Sequence, residues 1–564
     1  MAGGEGKSFM RGAVILGVAS FLSRLLGTVY KIPFENMTGS VGFYIYNQVY
    51  PLYTILLVLS TAGFPTAISK LVSERLVHGD RAGARRVYRV SSVILTMTGG
   101  FFFLCLFFGA PAIAAWMGGG EELVLPIRAV SFALLLVPAM AALRGYFQGF
   151  QNMMPTAVSQ VVEQLVRVTF ILLVTFFAMQ WVVPTERAVV LAASGAVMGA
   201  FVGAIAAFGY LLGYKRRVEA DEVSSRRKEV REKEPIGDLL KKIVATALPI
   251  ALASLVLPLF NLVDAFTIKT ILNHAFCGGA LDCTEAAYWK GVYDRGPTLV
   301  QFAAFFATAI ALSIVPAVAE SKERRRWQEA AERAELAIKM TLWLGVPASI
   351  GLAVIAEPVN IMLFRNDEGT WAVRIAALTV MFSTLTMTCT GILQGVGHLL
   401  LPARILLLAV AVKLAANLLL VPAWQINGAA AATVLAYMMA ASLNQREVRR
   451  RVHIRWDRPT LYGKPLLAAL VMAGVLWGVL QWMEGWMYGL LSPRWAATVL
   501  SLVCVLIGMP VYGWVLLKSG VIRIRDLQQV PRLRRWIPRF VRWGWLKEDE
   551  GEAMKGVRGW RNTR

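Results

Sequence analysis

The chain has 564 residues, is 57% hydrophobic and has a mean hydropathy of +0.57, which excludes a soluble globular domain and fits a polytopic helical membrane protein. Its formal charge of +23 lies in short loops and a Trp-rich tail, so anionic lipid, and not nucleic acid, is the expected partner of that charge. Four dispersed histidines and five scattered cysteines make no metal or nucleophile pattern, so neither catalysis nor a cofactor is expected.

Fourteen segments are long and apolar enough to span: 12–33, 42–70, 90–116, 123–147, 156–181, 187–213, 243–272, 291–318, 335–357, 371–396, 400–421, 427–444, 464–484 and 494–517. The first is not a cleavable signal, because Arg24 interrupts it and no small-residue cleavage site follows. Before it, Gly3-Gly4-Glu5-Gly6-Lys7-Ser8 has part of a phosphate-binding loop, but Met1 stands where the first glycine is required. No other nucleotide motif occurs, so direct drive by ATP is not expected.

Arg24 is the sharpest feature of span 1. A guanidinium at membrane depth costs at least about 2.5–3.5 kcal/mol, which a chain tolerates when the charge meets water, a counter-ion or an anionic ligand. Its structural alternative is an ion pair with Glu35, Glu163 or Asp264. Lys31 follows two turns later, either adding charge to the same cavity or marking the outer interface. Arg128 in span 4 reads as a snorkelling anchor. Glu163 and Arg167 in span 5 are four apart and expected to pair along the helix.

Span 7 carries Asp264, and Cys277 and Cys283 share the following polar loop, where a disulfide forms if that loop is extracytoplasmic. Arg295 begins span 8 and offers a second donor fork for phosphate oxygens, or else snorkels outward. Arg374 in span 10 reads as an anchor like Arg128. Span 11 carries Lys413 and Asn417. If spans 7 and 11 touch, Lys413 can neutralise Asp264, which is then either a cation-coupling carboxylate or half of a structural pair. The tail from Lys518 onward, rich in Arg and Trp, reads as an interfacial segment on anionic lipid.

Loop charge sets the topology. Basic residues cluster between spans 2 and 3, 6 and 7, 8 and 9, and 12 and 13, whereas 118–122, 273–289 and 422–427 hold no Lys or Arg. Both termini are therefore expected in the cytoplasm. The run Gly145-Tyr146-Phe147-Gln148-Gly149 returns 246 residues later as Gly391-Ile392-Leu393-Gln394-Gly395, and the same offset relates Arg128 to Arg374, Arg167 to Lys413 and Glu74 to Glu320. Six spans separate the copies, so the repeats are parallel. The expected fold is all-α: an N-lobe at 1–214, a basic cytoplasmic linker at 215–242, a C-lobe at 243–446, two added spans within 447–518 and a basic tail at 519–564.

Several runs resemble the multidrug/oligosaccharidyl-lipid/polysaccharide exporter superfamily: Ser23-Arg24-Leu25-Leu26-Gly27, Gly63-Phe64-Pro65-Thr66-Ala67-Ile68-Ser69-Lys70, Glu163-Gln164-Leu165-Val166-Arg167 and Gly428-Ala429-Ala430-Ala431-Ala432-Thr433. Within it the chain resembles the Firmicute polysaccharide-biosynthesis membrane proteins, a branch with MurJ-type lipid II flippases and stage V sporulation protein B. Gly291-Val292-Tyr293-Asp294-Arg295-Gly296 and the fourteen spans are closer to the MurJ type.

That resemblance implies flipping of undecaprenyl-pyrophosphate-linked lipid II, with Arg24 and Arg295 on the pyrophosphate; Lys31 is a further candidate there, and wall-synthesis proteins are further expected partners. It departs at Tyr30, where the family has a second arginine, at the apolar 56–59, which lacks the family's span 2 arginine, and at Lys413 and Asn417, which stand in the family's sodium region beside Asp264. Other readings are a flippase for another polyprenyl-linked glycan or spore-cortex precursor, a cation-coupled drug exporter, and a non-transporting scaffold.

Overall fold

The computed structural model describes residues 2–182, 185–222, 235–398, 400–452 and 459–521. Residues 223–234 of the expected basic linker at 215–242, the loop at 453–458 and nearly all of the tail lie outside the described residues. Every regular element among the described residues is helical. A lipid-facing backbone must satisfy its polar groups within itself, and a chain with this hydropathy has no other compact solution short of a closed barrel.

The helices are α1 (Ala2–Val29), α2 (Lys31–Thr61), α3 (Phe64–Val77), α4 (Arg81–Trp116), α5 (Glu121–Ser131), α6 (Ala133–Gly149), α7 (Met154–Trp181), α8 (Thr185–Glu222) and α9 (Ile236–Ser254). They continue with α10 (Val256–Cys277), α11 (Thr284–Glu323), α12 (Trp327–Val354), α13 (Ala356–Phe364), α14 (Thr370–Ala377), α15 (Thr379–Gly395), α16 (Leu400–Val452), α17 (Lys464–Leu490) and α18 (Pro493–Lys518). The fragment of a phosphate loop at Gly3 to Ser8 lies inside α1 and so has no loop to form.

Ten helical stretches among the described residues are long and apolar enough to cross a bilayer. The stretch Leu16–Val77 has 62 residues, about three times one crossing, and it breaks at Gly39 (φ 70°) between expected spans 1 and 2. The 53 residues of α16 break at Gln425 between expected spans 11 and 12. The protein is a multi-pass helical membrane protein, and these breaks make fourteen crossings compatible with it.

Two compact units form. One comprises Met1–Thr298 with Leu399–Ala436, and the other Leu299–His398 with Tyr437–Arg564. In the first, α7 packs along α8 and against α1, while α2 packs on α8, α5 and α10. Gln48 of α2 ties this interior together by donating to the carbonyls of Met117 and Ala265. Gly63, between α2 and α3, has φ 79°, and a Cβ there would stand 2.4 Å from the Ala247 carbonyl of α9. Only glycine meets both demands. In the second unit, α12 packs on α15 and α17, and α17 on α18.

The 246-residue offset holds in three dimensions. Shifted by it, the end of α5 at Ser131 becomes the end of α14 at Ala377, and α6 becomes α15. A Cβ on Gly149 would meet Ser69 and Val72 of α3, and one on Gly395 would meet Val315 and Val318 of α11, the same two positions after the shift. Gln151 and Gly397, again one offset apart, both take positive φ.

Candidate anion-binding site

The first unit buries charge on a scale that only pairing can sustain. Arg295, Lys290, Lys413 and Lys269 are at most 2% exposed. Leaving one such charge without a partner costs about 3–5 kcal/mol.

Most find carboxylates. Arg295 Nε donates to Glu35 Oε1 at 2.5 Å and its Nη2 to Ser40 Oγ at 3.1 Å, joining α11 to both sides of the Gly39 break. The helices can approach because residue 291 is glycine; a Cβ there would fall 1.9 Å from the Ser40 carbonyl oxygen. One turn earlier on α11, Lys290 Nζ meets Asp294 Oδ1 at 2.6 Å. Asp294 and Arg295, neighbours in sequence, thus serve different partners, as a rotation of 100° per residue requires.

Asp264 accepts three hydrogen bonds. Its Oδ2 accepts from Lys413 Nζ and from the Tyr293 hydroxyl, both at 2.8 Å, and its Oδ1 accepts from Asn417 Nδ2 at 3.1 Å. Lys413 also donates to the Phe260 carbonyl at 3.1 Å, and Asn417 to Thr267 Oγ1 at 2.9 Å. The structure brings Asp264, Lys413 and Asn417 together in one hydrogen-bonded group. Among the described residues no cluster of three His, Cys, Asp or Glu side chains is placed to hold a metal ion.

Glu163 and Arg167 do not pair, contrary to the expectation from their spacing. Arg144 of α6 straddles α7, donating to Ser159 Oγ at 2.9 Å and to Glu163 Oε2 at 2.8 Å. Arg167 turns toward α2, where its Nη2 donates to the Tyr46 hydroxyl at 3.2 Å and its guanidinium carbon lies 5.1 Å from the Tyr50 ring centre. Four-residue spacing favours pairing on an isolated helix by only a few tenths of a kcal/mol, and packed neighbours outweigh that.

All three carboxylates offered as partners for Arg24, namely Glu35, Glu163 and Asp264, are engaged by other cations. Arg24 is exposed, and no described residue forms an ion pair with it. It lies between Ser20, which donates to Gln160, and Gly27, which faces Gln164, so it rides the seam of α1 and α7. Lys31 Nζ donates to Asn47 Oδ1 at 3.3 Å, a neutral partner. It also lies in the field of Asp294, whose direct partner is Lys290. Arg24 and Lys31 are therefore cations whose direct contacts with described residues leave their charge unneutralised.

The remaining charges have structural partners. Lys269 is held by Asn273 and by the carbonyl of Cys283, whose sulfur is bonded to Cys277. Arg128 lies over Phe107, and Arg374 meets Trp371 and, at 3.2 Å, Glu357. Sequence reasoning missed Lys290, Lys269 and Arg144. Lys290 was within reach, since it stands four residues before Asp294; Arg144 shows its role only once α6 lies on α7.

A profile of the polysaccharide biosynthesis protein family matches residues 9–322. The uncharacterized membrane protein YabM of Bacillus subtilis is 36% identical over 527 residues, 92% of this chain and 94% of YabM. The lipid II flippase MurJ of the same organism is 28% identical over 556 residues, 95% of this chain and 98% of that protein. Among solved structures, a lipid II flippase MurJ in an inward closed conformation superposes with a TM-score of 0.63 at 14% identity, covering 89% of this chain and 98% of the other, which shows a shared fold. The activities named among these relatives are those of flippases, not of enzymes. The chain belongs to the polysaccharide biosynthesis protein family.

Proposed function

We propose that this protein flips an undecaprenyl-pyrophosphate-linked cell-wall precursor, lipid II, across the cytoplasmic membrane by alternating access. The observation that carries the reading is the charge balance: the interior carboxylates Glu35, Glu163, Asp264 and Asp294 are each matched by a cation, while Arg24 and Lys31 remain for an anion. Arg24 supplies the planar fork that fits phosphate oxygens, and Lys31 a point charge. Arg295 joins them when it exchanges Glu35 for the substrate, so the same arginine latches α2 to α11 before the substrate arrives. The relation to a lipid II flippase over 95% of the chain supports the substrate class. A scaffold has no use for unneutralised cations, and an exporter of cationic drugs wants free carboxylates.

In this reading the lobes 1–214 and 243–446 rock about the site, both termini are cytoplasmic, and the Cys277–Cys283 loop lies outside, where disulfides persist. Anionic lipids hold the basic tail, and wall-synthesis proteins are the natural suppliers and consumers of the cargo. A second substrate, another polyprenyl-linked glycan, keeps standing because the relative at 36% identity carries no substrate in its name.

The test is complementation of a strain depleted of its lipid II flippase, read by survival and by lipid II accessible from outside. Rescue of both is expected. Stable insertion without either would refute the lipid II assignment, and restored export of a different polyprenyl glycan would establish the alternative.

A further inference from the structure

Two deeply placed cations of the first unit have no carboxylate in direct contact among the described residues: Lys269, which three neutral acceptors hold, namely Asn273 and the carbonyls of Leu281 and Cys283, and Arg167. Arg167 is 8% exposed, and its helical neighbour Glu163 belongs to Arg144. No described carboxylate forms an ion pair with it, and its Nε has no hydrogen-bond partner among the described residues. The tyrosine hydroxyl and ring that it touches are neutral. A guanidinium stays ionised when buried, and aromatic faces offset only part of its lost hydration. Inside a membrane such a residue is a candidate for function.

Its position agrees. Tyr30 and Lys31 lie opposite Tyr46 and Asn47: the two tyrosine hydroxyls meet, and Lys31 donates to Asn47. Arg167 donates to the same Tyr46. Lys31 and Arg167 thus approach the Tyr46-Asn47 step from α2 and α7, and Arg24 lies on α1, which packs against α7. Tyr46 and Tyr50 stack at 5.5 Å with an interplanar angle of 17°, a firm backing for the guanidinium.

We infer that Arg167 is a further anion-binding residue, which takes phosphate oxygens of the pyrophosphate-linked cargo on its donor fork while Tyr46 and Tyr50 position it. The inference rests on the flippase reading and adds a residue to its site. Arg295 must leave a carboxylate to reach the cargo; Arg167 has only to release a neutral hydroxyl, and so makes the earlier contact.

The experiment uses the full chain in nanodiscs with inorganic pyrophosphate as the probe, read by titration calorimetry and by the unfolding temperature of the unliganded protein. Arg167→Lys is expected to weaken binding at least about tenfold through loss of the paired donors. Arg167→Met is expected to abolish it while the unliganded protein unfolds no earlier than the parent. Parental affinity in both variants overturns the inference, as does earlier unfolding of Arg167→Met with binding intact, which marks a structural residue. If Arg167→Met does not accumulate, Arg167→Lys decides alone, and unchanged affinity overturns the inference. A parent that complements the depleted strain but binds no pyrophosphate also overturns it and leaves the flippase reading. Arg167-dependent binding without complementation supports the anion site and removes the lipid II assignment.

Discussion

Arg24 and Lys413 are both intramembrane cations, and their neighbours give them opposite fates. Lys413 is 2% exposed and its charge is absorbed by Asp264, whereas Arg24 has no described counter-ion. Arg24→Ala is therefore expected to insert normally and to lower flipping by at least about tenfold, since hydrogen bonds to charged groups contribute about 1.5–3 kcal/mol each. Arg24→Lys should recover part of the loss. Accessible lipid II in the depleted strain measures both. At Asp264 the Lys413 ammonium already balances the carboxylate, which accepts three hydrogen bonds in all. Flipping by the unaltered protein should persist in sodium-free medium at constant membrane potential; loss on removal and recovery on return of sodium would contradict this. Lys413→Ala leaves a buried carboxylate without its cation, a cost of about 3–5 kcal/mol, and should make transport depend on added sodium.

The contact of α2 with α11 is the element on which the proposed latch depends. It forms at Gly291, where a Cβ would lie 1.9 Å from the Ser40 carbonyl oxygen, and it brings Arg295 to Glu35. Gly291→Ala must push the helices apart, at the cost of about 1–3 kcal/mol typical of overpacking. A lower unfolding temperature in detergent and reduced flipping are expected, whereas Gly478→Ala on α17, with open space around its Cβ, should change neither. The repeat belongs to this scale as well. Its signature, glycines packed on matching positions of α3 and α11, was legible as a common offset because close helix approach tolerates few other residues.

For the whole molecule, cations left over after pairing make the proposed empty site positive, while a bound pyrophosphate offsets that charge. A potential negative inside then favours inward return of the empty site, by about 2.3 kcal/mol per charge per 100 mV fully crossed. Dissipating the potential with an ionophore in sodium-free proteoliposomes should slow steady-state flipping and spare the first turnover. Equal slowing of both phases would place the potential-sensitive step in cargo transfer.

The helical class, the membrane setting, the repeat offset and the cationic interior follow from the sequence alone, because hydropathy, helix-forming apolar runs and uncompensated charges are properties of the chain read in order. Which charges remain free is a tertiary matter. Glu163 prefers Arg144 over the Arg167 four residues on, Glu35 holds Arg295 across 260 residues, and Asp264 meets Lys413 across 149. In a low dielectric a partner a few ångströms away decides whether a cation is neutralised, and that distance is set by helix packing, which spacing along the chain does not record.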